Sequence, residues 1–185
     1  MALRVKEDML SAGVIPNTVT WSSLISACAK AGMVEKALQL FEEMLLAGCE
    51  PNTQCCNILL HACVEACQYD RAFRLFESWK RNRLQETSEE GNKEKKDGDG
   101  AEAVTSLSQS CNLYGLDFAK DLPFTPTTTT YNILMKACGS NYYHAKGLME
   151  EMKTLGLSPN QITWSTLIDI CGSSHDIEGA LQVIC

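Results

Sequence analysis

Four small polar residues stand in register along this chain: Ser22, Asn57, Asn132 and Ser165. Each occupies the fifth place of a recurring pattern, near the expected start of a helix. Serine carries a rotatable hydroxyl, and asparagine carries a fixed pair of one donor and one acceptor group. Held toward one side, such groups can tell one hydrogen-bonding edge from another. A plainer role is also open to any one of them, since Ser and Asn near a helix start often serve as caps or surface residues. Catalytic groups are sparse by comparison. The three histidines, His61, His144 and His175, fall in unrelated places. There is no Gly-rich phosphate loop, no H-E-x-x-H and no G-x-S-x-G. His-x-Glu with Pro-Cys-x-x-Cys is absent too, as is the aspartate cluster of a metal nuclease. No enzymatic activity is expected of these residues, which leaves open a catalytic domain beyond Cys185.

Ten cysteines suggest metal or disulfide chemistry at first sight. Cys28, Cys63, Cys138 and Cys171, however, recur at one place, in SAC, HAC, KAC and DIC. They sit on an apolar stripe, where Cys serves as a small buried hydrophobe. Disulfides between neighbouring units would need Cα distances near ~6 Å, shorter than the usual ~8–10 Å between packed helices. Cys63 and Cys67 with His61 do not complete a zinc set, because no second ligand pair follows. No metal site and no cofactor is expected, and free thiols suit a reducing compartment.

The elements that would position the polar groups are best seen in residues 18–52. Trp21, Leu24, Ile25 and Cys28 fall at i, i+3, i+4 and i+7, one face of a helix. Gly32 is placed to end it. Val34, Ala37, Leu38, Phe41, Met44 and Leu45 form a second stripe, with Glu35, Lys36, Glu42 and Glu43 on the other side. Gly48 and Pro51 end that helix. The short linker makes the two helices antiparallel. One hairpin cannot bury its own apolar face, so the expected architecture is all-α, a solenoid of stacked hairpins.

The same pattern divides the whole chain. Residues 1–17 read as the second half of a unit, with Gly13, Pro16 and Asn17 matching Gly48, Pro51 and Asn52. Residues 53–127 form a unit interrupted at about 84–122. Residues 128–160 form a unit two residues short, the loss falling around Ser140–Tyr143. Residues 161–185 form a truncated unit, with Ala180 and Leu181 in its second helix. A pattern that begins and stops inside hairpins reads as a piece of a longer array. From Gln85 to Glu102 there is no apolar period, and disorder is expected. Seven acidic residues against three lysines give that segment −4 of the chain's −7. It reads either as a tolerated insertion at a hairpin exit or as a regulatory, partner-binding segment. Cys111–Leu122 is more apolar and is expected to form a short helix packed on the solenoid. The net charge argues against a general phosphate-binding surface. No run of 18 apolar residues is present, so no membrane span is expected, and no transit peptide is visible at Met1.

Over about 145 of its 185 residues the chain resembles the pentatricopeptide repeat family, in the pure 35-residue type common in plant organelle proteins. The motifs that carry the resemblance are T-[WY]-[SN]-x-L-[IM], A-C, A-L-x-L-F-x-x-M and G-x-x-P-N. The resemblance implies a right-handed superhelix that binds single-stranded RNA, one base per repeat. It assigns base reading to the fifth and last residues: Ser22 with Asn52, Asn57 with Thr127, Asn132 with Asn160, and Ser165 alone. It places Val19 and Ile162 beside the bases, whereas Gln54 and Thr129 depart from the usual aliphatic. It gives Lys30 a phosphate, with Glu65, Ser140 and Ser173 at the equivalent places. The implied order is adenine, pyrimidine, pyrimidine, purine. The implied setting is a chloroplast or mitochondrion, within a longer RNA-processing, stabilisation or splicing factor. Trp21, Tyr131 and Trp164 lie on the apolar stripe and are expected in the core. The competing reading is a scaffold that holds protein partners without contacting RNA.

Overall fold

The structure, a computed structural model, describes residues 2–89 and 124–173. Eight helices run through the described residues: α1 Ala2–Ser11, α2 Thr18–Lys30, α3 Val34–Leu46, α4 Thr53–Glu65, α5 Tyr69–Glu89, α6 Thr128–Ala137, α7 Tyr142–Thr154 and α8 Gln161–Ser173. They pair as antiparallel hairpins, α2 on α3, α4 on α5 and α6 on α7. The first helices of the hairpins also pack on one another, α2 on α4, α4 on α6 and α6 on α8. This is the expected all-α solenoid.

The predicted stripes form the core with one shift: Leu38 and Leu45 are only partly buried, whereas Leu40, outside the predicted stripe, is fully buried. Trp21, Leu24, Ile25 and Cys28 of α2 are buried, as are Val34, Ala37, Leu40, Phe41 and Met44 of α3. Cys63 and Cys171 are fully buried and Cys138 half-buried, all unbridged. Burial pushes the Cys63 and Cys138 thiols up to about 11 and Cys56 up to about 12, so none is a ready thiolate.

Helix ends explain the turns. Gly32, Gly48 and Gly156 adopt φ values of 72°, 69° and 74°, the left-handed region open to glycine. At each, paired bonds close the helix, as in Gly48 N–H to Leu45 O at 2.9 Å and Cys49 N–H to Met44 O at 3.0 Å. Cys67 stands at the same place in α4 and adopts φ 58° without being glycine. α6 stops three residues sooner than α4, and the two-residue shortening is absorbed in the turn around Gly139 before Asn141 caps α7.

Two features depart from the sequence-based expectations. α5 continues to Glu89, five residues into the segment expected to be disordered from Gln85. Gln and Glu are good helix formers, and no Gly intervenes before Gly91. Phe124, not singled out in the sequence, is buried against Phe76 and Trp79, with ring centroids 6.2 and 5.3 Å away. It takes the place of Cys49 and Leu157, the apolar residue just after each left-handed turn. The short helix expected at Cys111–Leu122, most of the acidic stretch and the second helix of the last unit lie outside the described residues.

The strained Cys67 gives a stability prediction. Cys67→Gly should raise stability by about 0.5–1 kcal/mol, and Gly32→Ala should lower it by a similar amount. Thermal unfolding of the two variants beside the unchanged chain checks both signs.

Candidate nucleic-acid interface

Each first helix begins on a side-chain cap. Asn17, Asn52, Thr127 and Asn160 are extended N-cap residues or stand at that place, just before α2, α4, α6 and α8. Their side-chain oxygens accept the backbone N–H of Thr20 at 2.9 Å, Cys55 at 2.9 Å, Thr130 at 3.4 Å and Thr163 at 3.0 Å. The last-place residues therefore hold the helix starts. In the asparagines this occupies the amide oxygen, while the NH2 group stays available as a donor.

The fifth-place residues are not caps. They lie one turn into each first helix, and Ser22, Asn57 and Asn132 face the next unit, whereas Ser165 is exposed. Ser22 Oγ donates to Thr18 O at 2.7 Å and lies 2.8 Å from Cys55 Sγ. Asn57 Oδ1 accepts from Thr130 Oγ1 at 2.8 Å. Asn132 Oδ1 accepts from Thr163 Oγ1 at 2.7 Å, and its Nδ2 donates to Asn160 Oδ1 at 3.2 Å.

Two clefts open between neighbouring first helices. The one between α2 and α4 holds about 510 Å³ and gathers Val19, Ser22 and Asn52, with Lys30 and Gln54 also on its wall. The one between α4 and α6 holds about 910 Å³ and gathers Gln54, Asn57, Thr127 and Thr129, again with Lys30. The structure thus brings together the fifth and last residues of the 18–52 and 53–127 units, although residues 84–122 intervene in the second. Asn132 and Asn160 meet directly. Ser165 and Ile162 are exposed on α8 and line neither cleft. Val19 is 71% and Ile162 62% exposed, so apolar surface stands open beside the polar groups.

The electrostatics of the groove differ from unit to unit. Lys30 is exposed and touches both clefts. Its counterpart Glu65 lines the second cleft and accepts a hydrogen bond from Lys136 Nζ at 2.6 Å, with His61 Nε2 at 3.8 Å. The Lys136 ammonium holds the Glu65 carboxyl below the usual carboxylate value. Sequence reading missed Lys136; its place in the pattern is occupied by Ser26, His61 and Asp169 in the other units, so no recurring signal marks it.

The aromatic expectation needs one correction. Trp21 and Tyr131 are buried, but Trp164 is 38% exposed. Tyr131 also donates to Glu151 at 2.7 Å. α8 packs against α6 and α7, and its Trp164 side chain stays partly open. Among the described residues no cluster of His, Cys, Asp and Glu could hold a metal, and no helix is long and apolar enough to cross a membrane.

Stacked hairpins with small polar groups along one series of clefts define a helical-repeat protein. The sequence model of the PPR repeat family matches residues 16–65 and 126–173, that of the pentatricopeptide repeat domain matches 47–87, and a further PPR repeat match covers 162–185. The chain belongs to the pentatricopeptide repeat family. It is 58% identical to the pentatricopeptide repeat-containing protein At5g02830, chloroplastic, of Arabidopsis thaliana, over 99% of this chain and 22% of that protein. It is 38% identical to the putative pentatricopeptide repeat-containing protein At1g02420 of Arabidopsis thaliana, over 33% of this chain and 12% of that one. The chain thus spans about a fifth or less of the curated relatives it matches. Its fold is that of the pentatricopeptide repeat protein PPR10, solved in complex with an 18-nt psaJ RNA element, with a TM-score of 0.64 at 16% identity, over 98% of this chain and 21% of that one.

The capping role is testable apart from any ligand. Asn160→Ala should cost about 1 kcal/mol of stability, whereas Asn160→Asp, which can still cap, should cost much less. Chemical denaturation of the two variants reads the difference.

Proposed function

We propose that this chain binds single-stranded RNA in an extended form along the first-helix clefts, one nucleotide to each unit, with units at 18–52, 53–127, 128–160 and 161–185. The observation that carries the reading is the first cleft. There a hydroxyl (Ser22), an amide (Asn52) and an exposed apolar side chain (Val19) converge, with the Lys30 ammonium on the same wall. A base needs such a set: hydrogen-bonding groups for its edge, apolar surface for its face and positive charge near its phosphate. Ser22 with Asn52 reads adenine in this proposal. Asn57 with Thr127 and Asn132 with Asn160 read pyrimidines, and Ser165 leans to a purine. Val19 and Ile162 flank bases, and Lys30 contacts phosphate.

The crystallised complex of PPR10 with RNA supports an RNA partner, and the chloroplastic designation of the Arabidopsis relative supports a chloroplast setting over a mitochondrial one. The role is binding, not catalysis, as part of a longer factor in RNA processing, stabilisation or splicing. With one exposed lysine on the clefts and Glu65 in place of a second, affinity rests more on base contacts than on charge. The acidic segment from Gln85 to Glu102 is proposed as a surface for basic protein partners. A pure protein scaffold is the alternative, and it predicts no dependence on base identity.

The test is Ser22→Asn. Measured with four-base cores that differ only at the first place, preference should move from adenine towards pyrimidine by about tenfold, the worth of one good base contact. A variant with the preference of the unchanged chain removes Ser22 as a reader. An unchanged chain that binds all single-base variants alike, or none, favours the scaffold.

A further inference from the structure

Three junctions share one contact that neither the fifth nor the last residue makes alone. The fifth-place side chain of each unit is tied to the third residue of the next: Ser22 to Cys55, Asn57 to Thr130 and Asn132 to Thr163. We infer that these third residues, Cys55, Thr130 and Thr163, are positioning residues that decide which hydrogen-bonding face each reader turns to its base. The inference rests on the RNA-reading proposal and adds a specificity determinant to it.

The argument is a count of hydrogens. A hydroxyl has one to give. Thr130 Oγ1 accepts the Thr127 backbone N–H at 3.0 Å and gives its own hydrogen to Asn57 Oδ1. The Asn57 amide is thereby oriented with its oxygen on Thr130, and its NH2 group is left for an occupant of the cleft it lines. Thr163 does the same for Asn132: it accepts the Asn160 backbone N–H at 3.1 Å, and of the two oxygens within its reach, Asn132 Oδ1 at 2.7 Å and Asn160 Oδ1 at 3.0 Å, the nearer takes its one hydrogen. Asn132 spends one amide hydrogen on Asn160 and keeps the other. Both readers present donors, which suit the carbonyl oxygens of a pyrimidine.

Ser22 is arranged the opposite way. It gives its hydrogen to Thr18 O at 2.7 Å, so the contact with Cys55 uses the thiol hydrogen. What remains on Ser22 is a lone pair, an acceptor that suits an exocyclic amino group such as that of adenine. The same place in the fold therefore presents an acceptor in one unit and donors in the next two. A free asparagine amide would gain either face by turning about its last torsion; the neighbouring unit removes that choice.

The experiment uses the full chain and single-stranded RNAs that differ only at the base opposite Asn57. Thr130→Val keeps the shape and deletes the hydroxyl. The ratio of affinities between the best and worst base there should fall by about fivefold, within the range of one lost base contact. Ratios at the other places should stay as they were, and Thr130→Ser should restore the lost ratio. Because Thr130 also supports the cap of α6, Thr130→Cys is measured beside it. A thiol already occupies this place at Cys55, and as a weaker donor it should give a ratio between those of Val and Thr. An unchanged ratio in Thr130→Val, or an equal loss of affinity for all four bases, overturns the positioning role. If Thr130→Val does not fold, an unchanged ratio in Thr130→Cys overturns it. An unchanged chain without any base preference opposite Asn57 sinks the RNA-reading proposal itself.

Discussion

A side-chain oxygen receiving a backbone N–H three residues later is the constraint on which this structure depends. It occurs before α2, α4, α6 and α8, from Asn17, Asn52, Thr127 and Asn160. Each such cap is worth only about 1 kcal/mol. Its larger effect is positional. A helix that must begin at the residue after the cap sends its fifth side chain out in a fixed direction, since rotation per residue is fixed. Before α2, α4 and α8 a left-handed glycine and a proline upstream, Gly13 and Pro16, Gly48 and Pro51, and Gly156 and Pro159, deliver the chain to that cap. Register along the groove is therefore built from local geometry and repeated, with no long-range contact needed to specify it.

Around that frame the two helices of a hairpin divide the work. The second helices carry ties from unit to unit: Lys6 to Glu43, Glu35 to Arg71, and Lys80 to Glu151 at 2.9 Å. The Arg71 guanidinium holds the Glu35 carboxyl below its ordinary value, so this bridge contributes above the usual carboxylate range and fades as pH falls through it. Such half-exposed pairs add little energy each. The aromatic knot of Phe76, Trp79, Phe124 and Tyr131 adds far more, because large apolar side chains are withdrawn from water there. It also joins the two described stretches, residues 2–89 and 124–173. Phe124 is buried in the core at the place of Cys49 and Leu157. The first helices are then free to spend polar groups on the clefts.

Much of this was legible in the sequence because it is periodic. The 3.6-residue stripes, the glycines at 32, 48 and 156 and the Pro-Asn exits gave the hairpins, their order and the shared place of Ser22, Asn57, Asn132 and Ser165. What escaped was not periodic. Lys136 pairs with Glu65 across a unit boundary, and its equivalents differ in every other unit. Phe124 lies after a segment with no pattern. Trp164 stands between Thr and Ser as Trp21 does, yet it is partly exposed where Trp21 is buried. The ties from Cys55, Thr130 and Thr163 to the readers were hidden for another reason. Thr130 and Thr163 looked like ordinary members of the T-[WY]-[SN] motif, Cys55 stood where that motif has Thr, and only the stacking of one unit on the next brings the three to the fifth residue of the unit before.

The central claim is that the amides of Asn52, Asn57, Asn132 and Asn160 share one ligand groove, whereas Asn141, which caps α7, stands on a second helix away from it. Side-chain amide resonances of the labelled chain, followed while a short single-stranded RNA is added, test this directly. The account predicts that the four groove amides shift with saturation while Asn141 stays in place. Shifts at Asn141 equal to those in the groove, or RNA binding that leaves all four groove amides unmoved, would contradict it.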